Sequence, residues 1–167
     1  MSFKWDFEPP PESTLGDREV TLESNHLKSK RIALLVTGSI AAMKAPLIAR
    51  TLRRQGAEVV AFVSPEALRY TTIDALEWST INPVITKLTA NAEHLGDDYP
   101  FGAYLVAPAT YNTINKMSLG IAEGVITSTL GSAIGRMEQS NTEILSAPTL
   151  HGSLHNSILT ESLHKLD

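Results

Sequence analysis

The segment 31–42, RIALLVTGSIAA, limits the possible folds more than any other part of the chain. Its first seven residues form an almost continuous apolar run, which is typical of a strand buried on both faces of a parallel sheet. Gly38 and Ser39 end the run, and small residues then open a helix. Free backbone N–H groups at such a helix start attract anions. The segment therefore predicts a phosphate-bearing ligand, although a tight turn capped by Ser39 explains the same residues.

The remainder of the chain alternates strand and helix patterns, which predicts a layered α/β fold with a mainly parallel sheet. Ligands in such sheets bind beyond the carboxyl ends of the strands. Residues 1–29 contain three consecutive prolines and no sustained periodicity, so we expect an extended arm, followed by a single domain over 30–167. The expected strands are 31–37, 58–64, 81–88, 103–107 and 143–147, and the expected helices are 41–55, 65–70, 72–79, 112–120 and 122–134.

Composition excludes several classes of function. A net charge of −4 gives no basic surface for nucleic acid, and no apolar run is long enough to suggest a membrane span. The N-terminus lacks a signal-peptide core, so the cytoplasm is the expected location. The 167 residues contain no cysteine, which excludes disulfides, thiolate metal sites and a cysteine nucleophile within them. His151 and His155 lack an evident third ligand, so no metal site is expected.

The residues around the first turn favour a monophosphate over a dinucleotide. A dinucleotide site requires G-x-G-x-x-G and an acidic residue after the second strand. Here only Gly38 is present, and the second strand ends at Ser64. Two hydroxyls, from Ser39 and Ser64, suit a terminal phosphate. The segment 108–124, PATYNTINKMSLGIAEG, adds Asn112 and Thr113, which either cap a helix or bind the polar edge of a ligand ring.

Three segments together resemble the homo-oligomeric flavin-containing cysteine decarboxylases, a family that includes phosphopantothenoylcysteine decarboxylase and the lantibiotic peptidyl-cysteine decarboxylases. They are TGSIAA at 37–42, the segment 108–124, and APTLH at 147–151. The resemblance covers residues 30–155 and implies a three-layer, Rossmann-like or flavodoxin-like fold that binds FMN. It also implies homotrimers or dodecamers with the flavin at subunit contacts. Implied cofactor-binding residues are Gly38, Ser39, Ile40, Ser64, Pro108, Ala109, Thr110, Asn112 and Thr113.

The resemblance further implies oxidative decarboxylation of a cysteine carboxylate, either of 4'-phosphopantothenoylcysteine in coenzyme A biosynthesis or of a peptide. The family's essential histidine precedes its proline motif by fourteen residues, as His94 precedes Pro108, and it would handle the thiol proton. The substrate motif Pro-x-Met-Asn corresponds to residues 148–151, which place Leu150 and His151 against the substrate.

Two departures from the family keep other functions open. Histidine at position 151 in place of asparagine changes the donor geometry and can add a positive charge. In addition, a family cysteine that completes the reduction of the enethiol has no counterpart in these residues, and the segment that covers the substrate is expected to be short or missing. The alternatives are an FMN-dependent oxidoreductase of another small substrate and a non-catalytic flavoprotein subunit.

Overall fold

The computed structural model describes residues 6–95 and 99–167. A four-stranded, all-parallel sheet has the strand order β2-β1-β3-β4. Its strands are β1 (Arg31–Val36), β2 (Glu58–Val63), β3 (Ala103–Ala109) and β4 (Glu143–Pro148). The α-helices of the described part are α1 (Ala45–Arg54), α2 (Ile73–Thr80), α3 (Tyr111–Ser118), α4 (Gly124–Gln139) and α5 (Ser157–Leu166).

Helices cover both faces of this sheet, which confirms the three-layer α/β fold. Successive residues of a strand point to opposite faces. Accordingly, Ala33 and Leu35 of β1 join the core beneath α3, α4 and α5, whereas Leu34 and Val36 join the core beneath α1 and α2. All four side chains are fully buried. The uninterrupted apolar run of β1 is therefore explained by two separate cores.

Local backbone chemistry changes two of the expected elements. The helix expected over 41–55 is divided into a 3-10 helix at Ile40–Lys44 and α1, because Pro46 lacks an N–H and stands in the first turn of α1. The strand expected over 81–88 is wrong. Only Ile85 pairs with β2, through Val63 N–H to Ile85 O at 2.9 Å. Pro83 cannot donate to a ladder, which limits pairing there.

Other differences lie at the ends of elements. Residues 65–70 form only a short 3-10 turn at Ala67–Arg69, and the second helix of the 108–139 region extends to Gln139. Helix α5 has no counterpart among the expected elements. It begins with Asn156 as its N-cap, whose Oδ1 accepts from Leu159 N at 3.2 Å.

Part of the N-terminal arm packs on the domain. The Arg53 guanidinium, on the last turn of α1, is buried and donates to Ser79 O at 2.9 Å and to Arg18 O at 3.1 Å. Backbone bonds from Glu23 N to Arg54 O and from Leu27 N to Gln55 O, at 2.8 and 2.9 Å, add to this contact. The division of the chain at residues 29 and 30 stays a prediction.

No helix in the described ranges is both long and apolar enough to cross a membrane.

We predict that Arg53→Met lowers the free energy of unfolding by about 1–3 kcal/mol, because two partly or fully buried carbonyls lose their donor. Arg54→Met is the matched control in the same helical turn. The Arg54 side chain forms an exposed ion pair with Glu23 at 3.4 Å, and the loss of such a pair costs about 0–1 kcal/mol. Urea unfolding measures both values, and equal losses would contradict the role assigned to Arg53.

Candidate functional site

A polar cavity lies where β1, β2 and β3 end. Its volume is about 320 Å³, within the usual range for small-molecule sites. Parallel pairing brings the carboxyl ends of these strands to one edge, as the register pairs Val36 with Val63 and Leu35 with Val106 show. The lining residues are Thr37, Gly38, Ser64, Pro65, Glu66, Thr110, Asn112, Thr113, Lys116, Glu123, Gly124, Val125, Ile126 and Thr127.

Gly38 allows the loops after β1 and β2 to approach each other closely. A Cβ atom at Gly38 would stand 2.4 Å from Glu66 Cβ and 3.2 Å from the Glu66 carbonyl carbon. The first distance is too short for any real Cβ contact, so one of the two loops would have to shift, and the second distance is tight. The glycine at this position therefore follows from the shape of the cavity wall, which brings Ser64 beside the first turn.

The hydroxyls of Ser39 and Ser64 both cap turns at this edge. Ser39 Oγ accepts from Ala41 N at 3.3 Å, and Ser64 Oγ accepts from Ala67 N at 3.2 Å. A serine hydroxyl that accepts one backbone bond still has its own proton to donate. The capping and ligand-binding interpretations of Ser39 are therefore compatible, and both side chains remain partly accessible.

The cap of α3 is Thr110, and not Asn112 or Thr113. Thr110 Oγ1 accepts from Thr113 N at 3.4 Å and lies 3.0 Å from Thr113 Oγ1. Thr110 is the residue that directly precedes the helix, with the extended backbone of an N-cap. Asn112 is exposed in the first helical turn and lines the cavity, so its amide is available to a ligand.

A short ion pair forms one wall of the cavity. Lys116 Nζ lies 2.5 Å from Glu123 Oε1 and joins α3 to the residue that precedes α4. Thr127 Oγ1 accepts from Glu123 N at 2.8 Å, which fixes the same turn. This ion pair gives Lys116 a structural role, and the carboxylate of Glu66 lines the same cavity.

Four cofactor residues suggested by the sequence adjoin the cavity without lining it, namely Ser39, Ile40, Pro108 and Ala109. Pro108 and Ala109 are buried at the end of β3, and the buried Thr37 hydroxyl donates to Pro108 O at 2.6 Å. Ile40 follows Ser39 and is 66 % exposed. These residues shape or flank the cavity.

Leu150 and His151 lie at the same edge of the sheet, beyond β4. Thr149 N–H donates to Ala109 O at 3.0 Å and ties this segment to the end of β3. Leu150 is partly buried against the core, whereas His151 is exposed and precedes a 3-10 turn at Gly152–Leu154. The side chain that differs from the family motif is therefore the accessible one.

The structure does not bring His94 to this cavity. The carbonyl of Leu95 accepts a hydrogen bond from Arg136, in the last part of α4. Twelve residues separate Arg136 from Gly124 at the cavity, or about 18 Å of helix. Glu93 also lines a separate cavity with Arg31, the first residue of β1. His94 therefore lies near the amino edge of the sheet, opposite Gly38.

Sequence reasoning missed several lining residues. Glu66 and the turn from Glu123 to Thr127 enter the cavity through the packing of loops that are distant in sequence. The only available signal was the continuation of the 108–124 segment into Gly124.

A larger cavity of about 530 Å³ lies between β4 and helices α3, α4 and α5. Its lining is mostly apolar, with Ile114, Met117, Ile134 and Met137 among its members. Since polar groups do not converge there, we place the candidate site in the smaller cavity. Within 6–95 and 99–167, no group of three or more histidine, aspartate or glutamate side chains is arranged to hold a metal.

We predict that Gly38→Ala destabilises the protein by about 1–3 kcal/mol, because the added methyl overlaps Glu66. Gly135→Ala, in α4, is the matched control, since its added Cβ meets nothing within 4 Å. A helical glycine-to-alanine change in open space stabilises by about 0.5–1 kcal/mol. Denaturant unfolding distinguishes the two, and a neutral Gly38→Ala would contradict the close approach.

Comparison with known proteins identifies the fold and the family of this chain. A chain of the FMN-dependent cysteine decarboxylase SpaF superposes with a TM-score of 0.71 at 21 % identity, over 84 % of this chain and 80 % of that chain. The coenzyme A biosynthesis bifunctional protein CoaBC of Thermococcus kodakarensis is 37 % identical over 149 residues, which are 86 % of this chain and 36 % of that protein. A probable phosphopantothenoylcysteine decarboxylase of Streptococcus mutans is 29 % identical over 105 residues, 60 % of this chain and 59 % of that protein.

The chain thus spans about a third of the bifunctional relative and three fifths of the streptococcal one. A sequence model of the flavoprotein family matches residues 20–166, which include every lining residue of the cavity. This chain belongs to the flavoprotein family.

Proposed function

We propose that the polar cavity binds FMN and that the loaded protein oxidatively decarboxylates a cysteine carboxylate. The observation that carries the proposal is the set of hydroxyls at one sheet edge, from Ser64, Thr110 and Thr113, in a chain of the flavoprotein family. Relatives whose names describe FMN-dependent cysteine decarboxylase and phosphopantothenoylcysteine decarboxylase favour this chemistry. The substrate is 4'-phosphopantothenoylcysteine or the terminal cysteine of a peptide.

The residues present fit the phosphate of FMN. Ser39 and Ser64 offer hydroxyl protons, and the backbone N–H of Ile40 lies next to Ser39 at the start of the 3-10 helix. Gly38 leaves the backbone open to a close approach. Lys116 lines the same cavity, where its charge is paired with that of Glu123. A terminal phosphate needs hydrogen-bond donors of this kind.

The other side of the cavity fits the polar edge of a flavin ring. Asn112 presents an amide that both donates and accepts, and the paired Thr110 and Thr113 hydroxyls lie one helical turn apart. Pro108 and Ala109 are buried behind this wall, at the end of β3. The cofactor set suggested by the sequence therefore divides into a phosphate side and a ring side.

Bound FMN would supply the two-electron oxidation that converts the cysteine CH₂–SH group into a thioaldehyde. The neighbouring carbon–carbon bond to the carboxylate then breaks, CO₂ leaves, and the electron pair moves onto sulfur as an enethiolate. His94 accepts the thiol proton at the start, a task suited to an imidazole. His151 and Leu150 orient the substrate beside the end of β4. With no cysteine in these 167 residues, we expect the enethiol as the product.

His94 and the cavity of one protomer lie at opposite sheet edges, so this reaction requires His94 from a second copy. An apolar stripe on the helical segment that follows Ser39 offers a surface for that copy. Ile40, Met43 and Leu47 occur at helical spacing and are 66, 62 and 64 % exposed. Three such side chains on one face favour a buried contact. We therefore propose a homo-oligomer, the trimer or dodecamer that the family resemblance implies, with the flavin at the subunit contact.

The catalytic proposal is tested by mixing FMN-loaded protein with phosphopantothenoylcysteine or with a peptide that ends in cysteine. We predict release of CO₂ and a product that has lost CO₂ and two hydrogens by mass spectrometry. His94→Asn should lower kcat by about 100-fold, as for loss of an acid–base group, without releasing FMN. His164→Asn, on the exposed face of α5, is the matched control. Absence of CO₂ from both substrates would reject the decarboxylase.

The subunit proposal is tested by Met43→Glu combined with Leu47→Glu. Two buried charges at a contact cost several kcal/mol, so we predict monomers by light scattering and loss of turnover. Leu22→Glu, a 58 % exposed residue of the N-terminal arm, is the matched control and should remain oligomeric. A wild-type protein that is active as a monomer would contradict a shared site.

The exposed His151 favours one alternative, an FMN-dependent oxidoreductase of another small substrate, because an imidazole at this position can carry a charge that asparagine cannot. Chemically reduced flavoprotein that is reoxidised by a candidate acceptor, and not by oxygen alone, would support it.

A further inference from the structure

The turn that carries His94 is fixed at its first end by hydrogen bonds within the turn. Glu93 accepts from Thr89 N–H at 2.9 Å and from the Thr89 hydroxyl at 2.5 Å. Ala92 N–H and Leu95 N–H donate to Thr89 O and Ala92 O at 3.1 and 2.8 Å. The two bonds from Thr89 are the main cause that lowers the pKa of the Glu93 carboxyl, and the adjacent His94 lowers it further. Hydrogen bonds within the turn therefore fix the residues that precede His94.

The second end is held from outside. Arg136 Nη2 donates to the carbonyl of Leu95, directly after His94, although 41 residues separate the two. Arg136 is itself fixed near the end of α4, where Ser140 N and Ser140 Oγ both donate to its carbonyl at 2.8 Å. The guanidinium therefore links the His94 turn to a long helix that is packed against the sheet.

His94 itself has little else to define its orientation in the described part of the chain. Its Nδ1 atom is buried without a hydrogen-bond partner there, while the residue as a whole is half-buried. Because the imidazole ring of His94 forms few hydrogen bonds, its orientation depends on the backbone of the turn. That backbone is fixed by the Thr89–Glu93 bonds and by Arg136.

We propose that Arg136 is a positioning residue for the decarboxylation, because it holds the Leu95 carbonyl and thereby aims His94 at the cavity of a second copy. This inference rests on the proposed function. Arg136 acts through His94 of its own chain and touches neither substrate nor flavin. It follows that its loss should affect turnover in the neighbouring cavity and leave the cavity of its own chain intact.

The first test compares Arg136→Met and Arg136→Lys in the FMN-loaded oligomer. We expect Arg136→Met to lower kcat by about 10-fold to 100-fold, the cost of misplacing a reacting group, with an unchanged FMN dissociation constant. Arg136→Lys, which keeps a donor, should recover part of the loss. Arg54→Met, a helix-terminal arginine of α1, is the matched control. If Arg136→Met does not fold, Arg136→Gln replaces it under the same criteria.

A second readout does not depend on turnover. The imidazole signals of His94 in a ¹H–¹³C NMR spectrum should shift or broaden in Arg136→Met and remain unchanged in Arg54→Met. The assignment comes from the missing signal of His94→Asn. An unchanged His94 signal together with full kcat would overturn the inference.

Co-expression of two variants tests which chain Arg136 serves. Arg136→Met mixed with Asn112→Trp, which places a bulky ring at an exposed lining position, should regain activity, since one chain supplies an intact cavity and the other an aimed His94. Arg136→Met mixed with His94→Asn should not. Recovery in both mixtures, or a loss of FMN affinity in Arg136→Met, would overturn the inference. Failure of wild-type protein to release CO₂ would instead reject the proposed function.

Discussion

The parallel register of β1 with both of its neighbours is the constraint on which the candidate site depends. It brings the residues after β1, β2 and β3 to one edge, although they lie at positions 38, 64 and 110 of the sequence. The buried bond from the Thr37 hydroxyl to Pro108 O, at 2.6 Å, joins two of these strand ends directly. The absent side chain at Gly38 then lets the third approach. Without this register the hydroxyls would not share a cavity.

The same topology separates the two halves of the proposed reaction. Helix α4 begins at the cavity and ends beside the His94 turn, so its length sets the distance between them. A protomer therefore contains a cofactor cavity at one edge and a proton acceptor at the other. Under the proposed function, turnover therefore requires two subunits to associate. The apolar residues around Met43 are the proposed contact between those subunits.

The sequence predicts well those features that depend on local chemistry. The apolar runs of β1 and β2 require burial on both faces, and Gly38 with Ser39 marks the first turn. The layered fold follows from them, and so does the part of the lining that includes Gly38 and Ser64. The prediction of a strand over 81–88 is wrong, because Pro83 and its neighbours limit the pairing with β2 to Ile85. Thr110 is the cap of α3 because its hydroxyl accepts a hydrogen bond from the backbone N–H of Thr113. Glu66 and Glu123 enter the cavity through tertiary packing, which no local pattern encodes.

The most direct test of the proposed cavity compares FMN with riboflavin, which differ only in the terminal phosphate. Titration of the folded protein, followed by quenching of flavin fluorescence, gives both dissociation constants. If the phosphate lies against Ser39, Ser64 and the adjacent N–H groups, FMN should bind at least about tenfold more tightly, because each charge-assisted hydrogen bond is worth about 1.5–3 kcal/mol. Equal affinities, or no binding of either flavin, would contradict the assignment of this cavity.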